Sequence, residues 1–230
     1  MHRTVALLLP VYNELDGLQQ IVPQIDLELF DDVLVVDGGS TDGSWEYAIS
    51  IGLRVMSQLR RGLMFGVLDG IATLDADCVV EFSPDGNCLP EHLASVVRLL
   101  REGCDLVVVS RYLPPARSYD DTVVTALGNW AFSRLFRHLG PHKVTDALNI
   151  YRGFRRSLVK LPDFEQLCIG PVLEPLTTGL VNLNHLQYSE IAGDEPRRIG
   201  GTSKMRVLYN GSCILLMVAR LYLRRMGIRL

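Results

Sequence analysis

Residues 71–77 read IATLDAD. The first four are mostly apolar, which predicts a buried strand, and two carboxylates follow at once. A charge at the end of a buried strand is costly unless a cation lies close by, and in an open α/β sheet the carboxyl ends of the strands form the ligand crevice. We therefore predict that Asp75 and Asp77 face this crevice and bind Mg²⁺ or Mn²⁺ together with a diphosphate. A strand-ending turn with solvated aspartates is the alternative.

Apolar runs and helical patterns alternate along the rest of the chain, which at 230 residues is long enough for one large domain. This alternation predicts an α/β fold with a mostly parallel sheet covered by helices on both faces. The helical pattern over residues 61–70 is ambiguous because three glycines interrupt it. The other predicted strands are residues 4–9, 32–37, 53–57 and 105–110, and the predicted helices are residues 18–25 (kinked or shortened by Pro23), 44–51, 90–102 and 122–139.

Charge is distributed unevenly along the chain. Residues 1–195 contain 15 Lys and Arg against 26 Asp and Glu, a net charge of −11, whereas residues 196–230 contain eight basic residues and no acidic one. An acidic body with a basic tail indicates that the tail meets an anionic partner. We expect no nucleic-acid partner.

The cysteines and the apolar runs bear on the compartment. The five cysteines are odd in number and never in CxxC spacing, so we expect reduced thiols in a cytoplasmic protein. No run reaches the roughly 18 apolar residues of a membrane span.

Polar loops follow three predicted strands. Residues 10–14 (PVYNE) follow the first, residues 37–44 (DGGSTDGS) follow the second, and Asp75 and Asp77 follow a later one. Because the carboxyl ends of parallel strands meet at one edge, all three converge on one crevice. There Asp37 could accept hydrogen bonds from a base or a ribose, although each loop taken singly also fits a plain connection.

With these loops, the sequence resembles the family 2 glycosyltransferases, which have the Rossmann-like GT-A nucleotide-sugar fold. Within them it is most similar to the polyprenyl-phosphate branch that includes the dolichol-phosphate-mannose synthases. The matching stretches are residues 9–14 (LPVYNE), 35–44 (VVDGGSTDGS), 73–77 (TLDAD), 110–112 (SRY), 145–155 (TDALNIYRGFR) and 195–204 (EPRRIGGTSK).

The resemblance implies a GT-A domain over residues 1–206 and roles for several residues in it. The nucleotide of a UDP- or GDP-sugar would be bound at the ends of the first two strands, and Asp75 and Asp77 would hold the diphosphate and its metal. A basic segment would close over the diphosphate or the acceptor, unless it is simply a solvated loop. The nucleotide residues would be Pro10, Tyr12, Glu14 and Asp37, and the closing residues Arg197, Arg198 and Lys204.

The sequence departs from the family pattern after Asp77. Relatives follow the acidic triplet with Gln and then Pro, whereas here residues 78–87 (CVVEFSPDGN) intervene. Glu81 and Asp85 are the ionic candidates in this insertion for a third metal ligand. A small hairpin without chemistry is the alternative.

Asp146 distinguishes two acceptor classes. A sugar hydroxyl needs a general base, and Asp146 is the candidate for that base. A lipid phosphate is already ionised and needs only positioning cations, for which Arg111, Arg152 and Arg155 are candidates. Asp146 could instead cap a helix or pair with Arg155.

The C-terminal residues 207–230 predict an amphipathic helix, with an apolar stretch followed by interleaved arginines. Such a helix suits the surface of an anionic membrane, and a core helix or an oligomer contact are the alternatives. We therefore expect an inverting glycosyltransferase that uses polyprenyl phosphate at the cytoplasmic face of the membrane. A saccharide acceptor and a non-catalytic membrane-associated scaffold are the rival hypotheses.

Overall fold

In the computed structural model, which describes residues 3–162, 164–199 and 206–228, one mixed sheet forms the centre of the chain. The predicted α/β class is confirmed. Within the described residues the sheet has seven strands, which are β1 (Val5–Val11), β2 (Asp32–Asp37), β3 (Arg54–Ser57), β4 (Cys78–Glu81), β5 (Leu106–Ser110), β6 (Arg152–Arg155) and β7 (Tyr188–Ala192).

The strand order is β3-β2-β1-β4-β6-β5-β7, and β6 runs antiparallel to its neighbours β4 and β5. The other strands run parallel to one another. The carboxyl ends of β1, β2, β4, β5 and β7 therefore meet at one edge of the sheet, together with the amino end of β6. We call this the carboxyl edge, and the opposite one the amino edge.

Helices cover both faces of the sheet. Every residue of β1 is buried, as expected for a central strand with helices above and below it. The core has two parts, one on each face. One face carries α1 (Leu15–Ile21), α2 (Ser44–Ser50) and α4 (Leu93–Arg101), and the other carries α3 (Leu63–Thr73), α5 (Val123–Arg137), α6 (Phe164–Leu167), α7 (Leu173–Leu183) and α8 (Val207–Arg225).

The predicted strand over residues 71–77 is wrong. Residues 71–73 form the last turn of α3, because Met64, Val67, Ile71 and Leu74 share one buried face at helical spacing. The strand comes later, at β4, whose four residues are all buried and pair in parallel with β1 from Val5 opposite Cys78. The hairpin alternative for this region is wrong as well.

The glycines of α3 explain why its pattern was ambiguous. A Cβ on Gly70 would lie 2.7 Å from side-chain atoms of both Leu8 and Val36 in the sheet. Glycine weakens a helix, but here it lets the helix backbone approach the strands closely. The cost in local propensity is therefore compensated by tertiary packing.

Most other elements lie where the sequence predicts them. Pro23 ends the first helix early, since α1 stops at Ile21 and a single 3₁₀ turn follows. Thr122 caps α5 in a reciprocal capping box with Thr125.

The predicted C-terminal helix is present as α8. It is the one described helix that is long and apolar enough to cross a membrane, judged by length and composition alone. Its buried side chains pack into the core on one face of the sheet, beside α5 and α7. These buried side chains are Cys213, Ile214, Met217, Val218 and Leu221.

Candidate active site

Two loops at the carboxyl edge bond to each other. Asn13, which follows β1, has a positive φ of 56° and accepts a hydrogen bond from Thr41 N at 2.8 Å through its side chain. In return the hydroxyl of Ser40 accepts from Asn13 N at 2.9 Å, and that of Ser44 accepts from Glu14 N at 3.0 Å. These reciprocal bonds hold the β1 and β2 loops as one rigid unit.

Asp37, the last residue of β2, is buried at the centre of this unit. One carboxylate oxygen, Oδ2, accepts from Gly39 N at 2.8 Å and from Ser40 N at 3.0 Å. The other, Oδ1, is buried and has no hydrogen-bond partner among the described residues. A buried acceptor without a partner is costly, and a ligand hydroxyl or N–H would satisfy it.

Three other residues predicted to bind nucleotide lie on β1 or just after it, beside the end of β2. Tyr12 is 45% exposed, and its side chain packs against Gly38, where a Cβ would lie 3.2 Å away. Glu14 lies at the start of α1. Pro10 follows the last β1–β4 pair, Leu8 with Glu81, and lies opposite Val36 of β2 on the other side.

Asp75 and Asp77 lie at the opposite, amino edge of the sheet. Asp77 accepts hydrogen bonds from the backbone N–H of Thr4 at 3.0 Å and from the hydroxyl of Thr4 at 3.1 Å, just before β1 begins. Asp75 is fully exposed and forms an ion pair with Arg156 at 3.4 Å. The expectation that these two aspartates face the crevice is therefore wrong, because they precede β4 instead of following it.

The carboxylate that follows β4 at the carboxyl edge is Asp85. Its Oδ1 accepts from Asn87 N at 3.1 Å, and its Oδ2 lies 3.3 Å from Arg198. Asn87 in turn donates from Nδ2 to Asp120 at 3.2 Å, and its own Oδ1 is buried without a partner among the described residues. Arg198 also lies 3.5 Å from Asp120.

This arrangement supplies oxygen atoms of the kind that Mg²⁺ and Mn²⁺ prefer. Within the described ranges no group of three or more His, Cys, Asp or Glu side chains could hold a metal ion. The candidate set is therefore two carboxylates, Asp85 and Asp120, with the amide oxygen of Asn87. The guanidinium of Arg198 supplies the positive charge between the two carboxylates.

The segment that carries the predicted closing residues lies on the β4 loop. Ile199 N donates to Asp85 O at 2.8 Å, and Gly86, with φ +90°, has no room for a Cβ because Ile199 is 2.6 Å from that position. Arg197 donates to the carbonyl of Tyr119 at 3.4 Å. Lys204 lies outside the described residues.

Arg111 and Asp146 form the second charged group at this edge. Asp146 is fully buried and binds Arg111 through both oxygens, with Nε–Oδ2 at 2.7 Å and Nη2–Oδ1 at 3.0 Å. Arg111 also donates to Glu195 at 3.1 Å and lies 3.8 Å from Asp121. Burial opposes the charge of Arg111, but these carboxylates raise the pKa of its guanidinium above its ordinary value.

These contacts decide between the alternatives for the predicted cations. Asp146 pairs with Arg111 and not with Arg155, which pairs with Asp105 at 3.2 Å on the amino edge. Arg152 is fully buried and donates to backbone carbonyls, among them that of Asn149 at 2.7 Å. Arg111 and Arg152 both lie at the carboxyl edge, but Arg152 is buried in the core and carboxylates already surround the charge of Arg111.

Glu81, one of the two predicted candidates for a third metal ligand, is a buried carboxylate. It is fully buried at the end of β4, and neither oxygen has a hydrogen-bond partner among the described residues. Burial and repulsion from Glu174 raise the pKa of Glu81 well above its ordinary value, against the attraction of Arg152. The apolar run of residues 78–80 (CVV) predicts a strand, and this strand would have placed Glu81 at its buried end.

The first part of the chain matches a known family. Residues 6–161, from β1 to just past β6, match the model of glycosyl transferase family 2. The chain belongs to this family. Its predicted resemblance to family 2 is confirmed, and the proteins it is similar to include ones named for dolichyl phosphate and polyprenol.

Individual family 2 proteins are similar over part of their length. Glycosyltransferase AglJ of Haloferax volcanii is 31% identical over 66% of this chain and 50% of that protein, so the chain spans half the length of that relative. The UDP-N-acetylglucosamine–dolichyl-phosphate N-acetylglucosaminyltransferase of Methanococcus voltae is 23% identical over 69% of this chain and 72% of that protein.

A solved structure supports the fold. Glucosyl-3-phosphoglycerate synthase from Mycobacterium tuberculosis, in complex with Mn²⁺, UDP-glucose and phosphoglyceric acid, superposes with a TM-score of 0.66. The two sequences are 24% identical, and the match covers 99% of this chain and 81% of that one. The predicted GT-A fold is confirmed for this family 2 chain.

Proposed function

We propose that this chain is an inverting glycosyltransferase that moves a sugar from a nucleoside diphosphate sugar to a polyprenyl phosphate. The observation that carries the proposal is the grouping at the carboxyl edge of a buried, unsatisfied Asp37 Oδ1 and the oxygen atoms of Asp85, Asn87 and Asp120. Asp37 Oδ1 would accept a hydrogen bond from the nucleoside. The oxygen atoms of Asp85, Asn87 and Asp120 would bind a divalent cation beside the diphosphate.

The chemistry is a direct displacement at the sugar. A phosphate oxygen of the lipid attacks the anomeric carbon on the face opposite the nucleoside diphosphate, the bond from that carbon to the diphosphate oxygen breaks, and the configuration inverts. A bound Mg²⁺ or Mn²⁺ would neutralise charge on the departing diphosphate. Arg197 and Arg198, on the segment that packs on the Asp85 loop, would add further positive charge beside the departing diphosphate.

The state of Asp146 favours a phosphate acceptor. Both of its oxygens bind Arg111 in a buried ion pair, so it lacks a free oxygen with which to take a proton from a sugar hydroxyl. A phosphate monoester is ionised at neutral pH and needs no such base. The name of the Methanococcus voltae relative, which includes dolichyl phosphate, supports the same class of acceptor.

The proposed location is the cytoplasmic face of a membrane, where a lipid phosphate and a soluble nucleotide sugar can meet. All five cysteines are free thiols in the structure, which fits this location.

The first test is thermal unfolding with UDP, GDP, CMP or TDP, each with Mn²⁺, Mg²⁺ or neither. A ligand present at 100 times its dissociation constant adds about 2.7 kcal/mol to the free energy of unfolding. We expect one nucleoside diphosphate to raise the melting temperature in a metal-dependent way. No shift with any of them would contradict the proposal and favour a scaffold.

A pair of variants tests the position of the metal site. Asp85→Asn should abolish the metal-dependent part of the shift, whereas Asp75→Asn, the same change at the amino edge, should leave it intact. The reverse result would show that Asp75, and not Asp85, binds the metal.

Transfer of labelled sugar to polyprenyl phosphate, compared with transfer to a saccharide, identifies the acceptor class.

A further inference from the structure

The outer surface of α5 is apolar where a solvent-facing helix is usually polar. Val123, Leu127 and Trp130 follow one another at helical spacing and are 86%, 61% and 62% exposed. Arg134 continues the same row at the next turn and is exposed as well. This row lies on the face opposite the buried Asn129, Ser133 and Phe136.

The neighbouring helix, α8, shows the same pattern. Leu208, Leu215 and Leu216 are 90%, 58% and 48% exposed, on the side away from the buried Met217 and Leu221. The last turn of α8 then carries Arg224 and Arg225.

The two helices are adjacent and rest on the same layer. Both contact α7, which is buried over most of its length, and the Tyr222 hydroxyl of α8 donates to the carbonyl of Leu135 in α5 at 2.8 Å. Because both helices bury one face in the same core, their opposite faces point outward on the same side of the molecule. The exposed rows thus belong to one surface, which we call the α5–α8 surface.

The charge of this surface identifies the kind of partner. Residues 122–145 and 196–230 contain no Asp or Glu, although residues 1–195 as a whole are strongly acidic. The last turns of both helices are basic, with Arg134 and Arg137 in α5 and the two arginines in α8. Exposed apolar side chains bordered by arginines, on two helices that themselves contain no carboxylate, are complementary to a bilayer surface with anionic headgroups.

We propose that the α5–α8 surface is the membrane-docking surface of this protein, with Trp130 entering the headgroup region of an anionic bilayer. The surface adjoins the carboxyl edge through α5, which begins just after Asp121, a residue 3.8 Å from Arg111 at that edge. Docking through this surface would therefore place the candidate site at the carboxyl edge close to the lipid. This inference does not depend on the sugar chemistry proposed above.

The fluorescence of Trp130 measures its contact with lipid directly, since the chain has one other tryptophan, Trp45, which can be replaced. In a Trp45→Phe background, vesicles of mixed phosphatidylcholine and phosphatidylglycerol should shift the emission of Trp130 to the blue. Bromine-labelled lipid should quench it. Unchanged emission with these vesicles would overturn the proposal.

Variants separate this surface from others. Trp130→Asp and Leu215→Asp should each abolish sedimentation with the mixed vesicles, whereas Ile49→Asp, an equally exposed apolar position on α2 at the opposite face of the sheet, should not. Arg134→Gln and Arg225→Gln should each weaken binding about fivefold, the effect of one basic residue near an anionic surface. Melting temperatures check that all variants fold.

Two results would show that the surface serves another purpose. If Trp130→Asp sediments like the wild type, the membrane contact lies elsewhere. If the chain dimerises without lipid and Trp130→Asp makes it monomeric in light scattering, a second copy covers the surface. Nucleoside diphosphate binding is measured without vesicles, so failure of this inference is distinct from failure of the proposed function.

Discussion

Asp37 is the residue whose substitution most directly tests the nucleoside site. Its Oδ2 is held by two backbone N–H groups, and its buried Oδ1 is left for a ligand. Asp37→Asn keeps the shape of the side chain but removes the charge. Because a hydrogen bond to a charged group contributes about 1.5–3 kcal/mol, affinity for the nucleoside diphosphate should fall roughly 10- to 100-fold in titration calorimetry.

The matched control for Asp37→Asn is Asp32→Asn, at the other end of the same strand, where the carboxylate pairs with Arg54 at the amino edge. That variant should bind the nucleotide like the wild type. Equal losses in both variants would mean that the effect is general to the fold, and that Asp37 has no specific place in the site.

Glu81 should make stability depend on pH. Its pKa is raised in the folded chain by burial first and then by Glu174, so above pH 4.3, about the ordinary pKa of Glu, the folded state holds a proton that the unfolded state has lost. The free energy of unfolding therefore falls as pH rises through this window. Glu81→Gln removes the ionisable group, so its melting temperature should fall less than that of the wild type between about pH 5 and pH 8.

Calorimetric melting of both proteins across this pH range checks the expectation. Glu46→Gln, on the exposed side of α2, is the control and should follow the wild-type curve. Parallel curves for the wild type and Glu81→Gln would show that Glu81 does not contribute to the pH dependence.

At the scale of elements, the glycines of two helices have opposite roles. Gly70 of α3 lies against the sheet, where an added Cβ would meet Leu8 and Val36 at 2.7 Å, whereas Gly128 of α5 has no neighbouring atom within 4 Å of that position. Gly70→Ala should therefore destabilise the fold by about 1–3 kcal/mol through overpacking. Gly128→Ala should stabilise it by about 0.5–1 kcal/mol, because alanine is the better helix former.

Denaturant titration of the two variants measures both effects with the same chemical change. The contrast is informative because local propensity alone predicts stabilisation in each case. If Gly70→Ala were also stabilising, α3 would not pack on the sheet as closely as described.

At the scale of the whole molecule, the packing of α8 bears on the prediction that residues 1–206 form a domain separate from the C-terminal helix. Its five buried side chains fill the core beside α5 and α7. Burying such a side chain contributes about 1.5–3 kcal/mol, and the total stability of a domain is only about 5–15 kcal/mol. A chain that ends after Arg206 should therefore fail to fold, as measured by near-ultraviolet circular dichroism.

A chain that ends after Gly227 keeps all five buried residues and serves as the control. It should melt like the full chain. A folded, soluble chain ending after Arg206 would instead establish residues 1–206 as an independent domain.

Local patterns in the sequence determined much of this fold. The strands β1, β2 and β5 and the helices α4 and α5 follow from apolar periodicity and from capping and turn residues, which act over a few neighbours. The place of Asp37 at the end of β2 follows in the same way. The nucleotide half of the candidate site was therefore predictable, although the roles of its residues stay predictions.

Only the tertiary structure decided where β4 begins and which charges meet. The run of residues 71–74 fits both a strand and the last turn of a helix. The pairing of Cys78 with Val5 shows that the strand begins at residue 78 and that residues 71–73 belong to the helix. The later start of β4 places Asp75 and Asp77 at the amino edge and Asp85 at the carboxyl edge. The pairs Arg111–Asp146 and Asp85–Arg198 join residues far apart in the chain, and local periodicity carries no information about such contacts because it reports only on near neighbours.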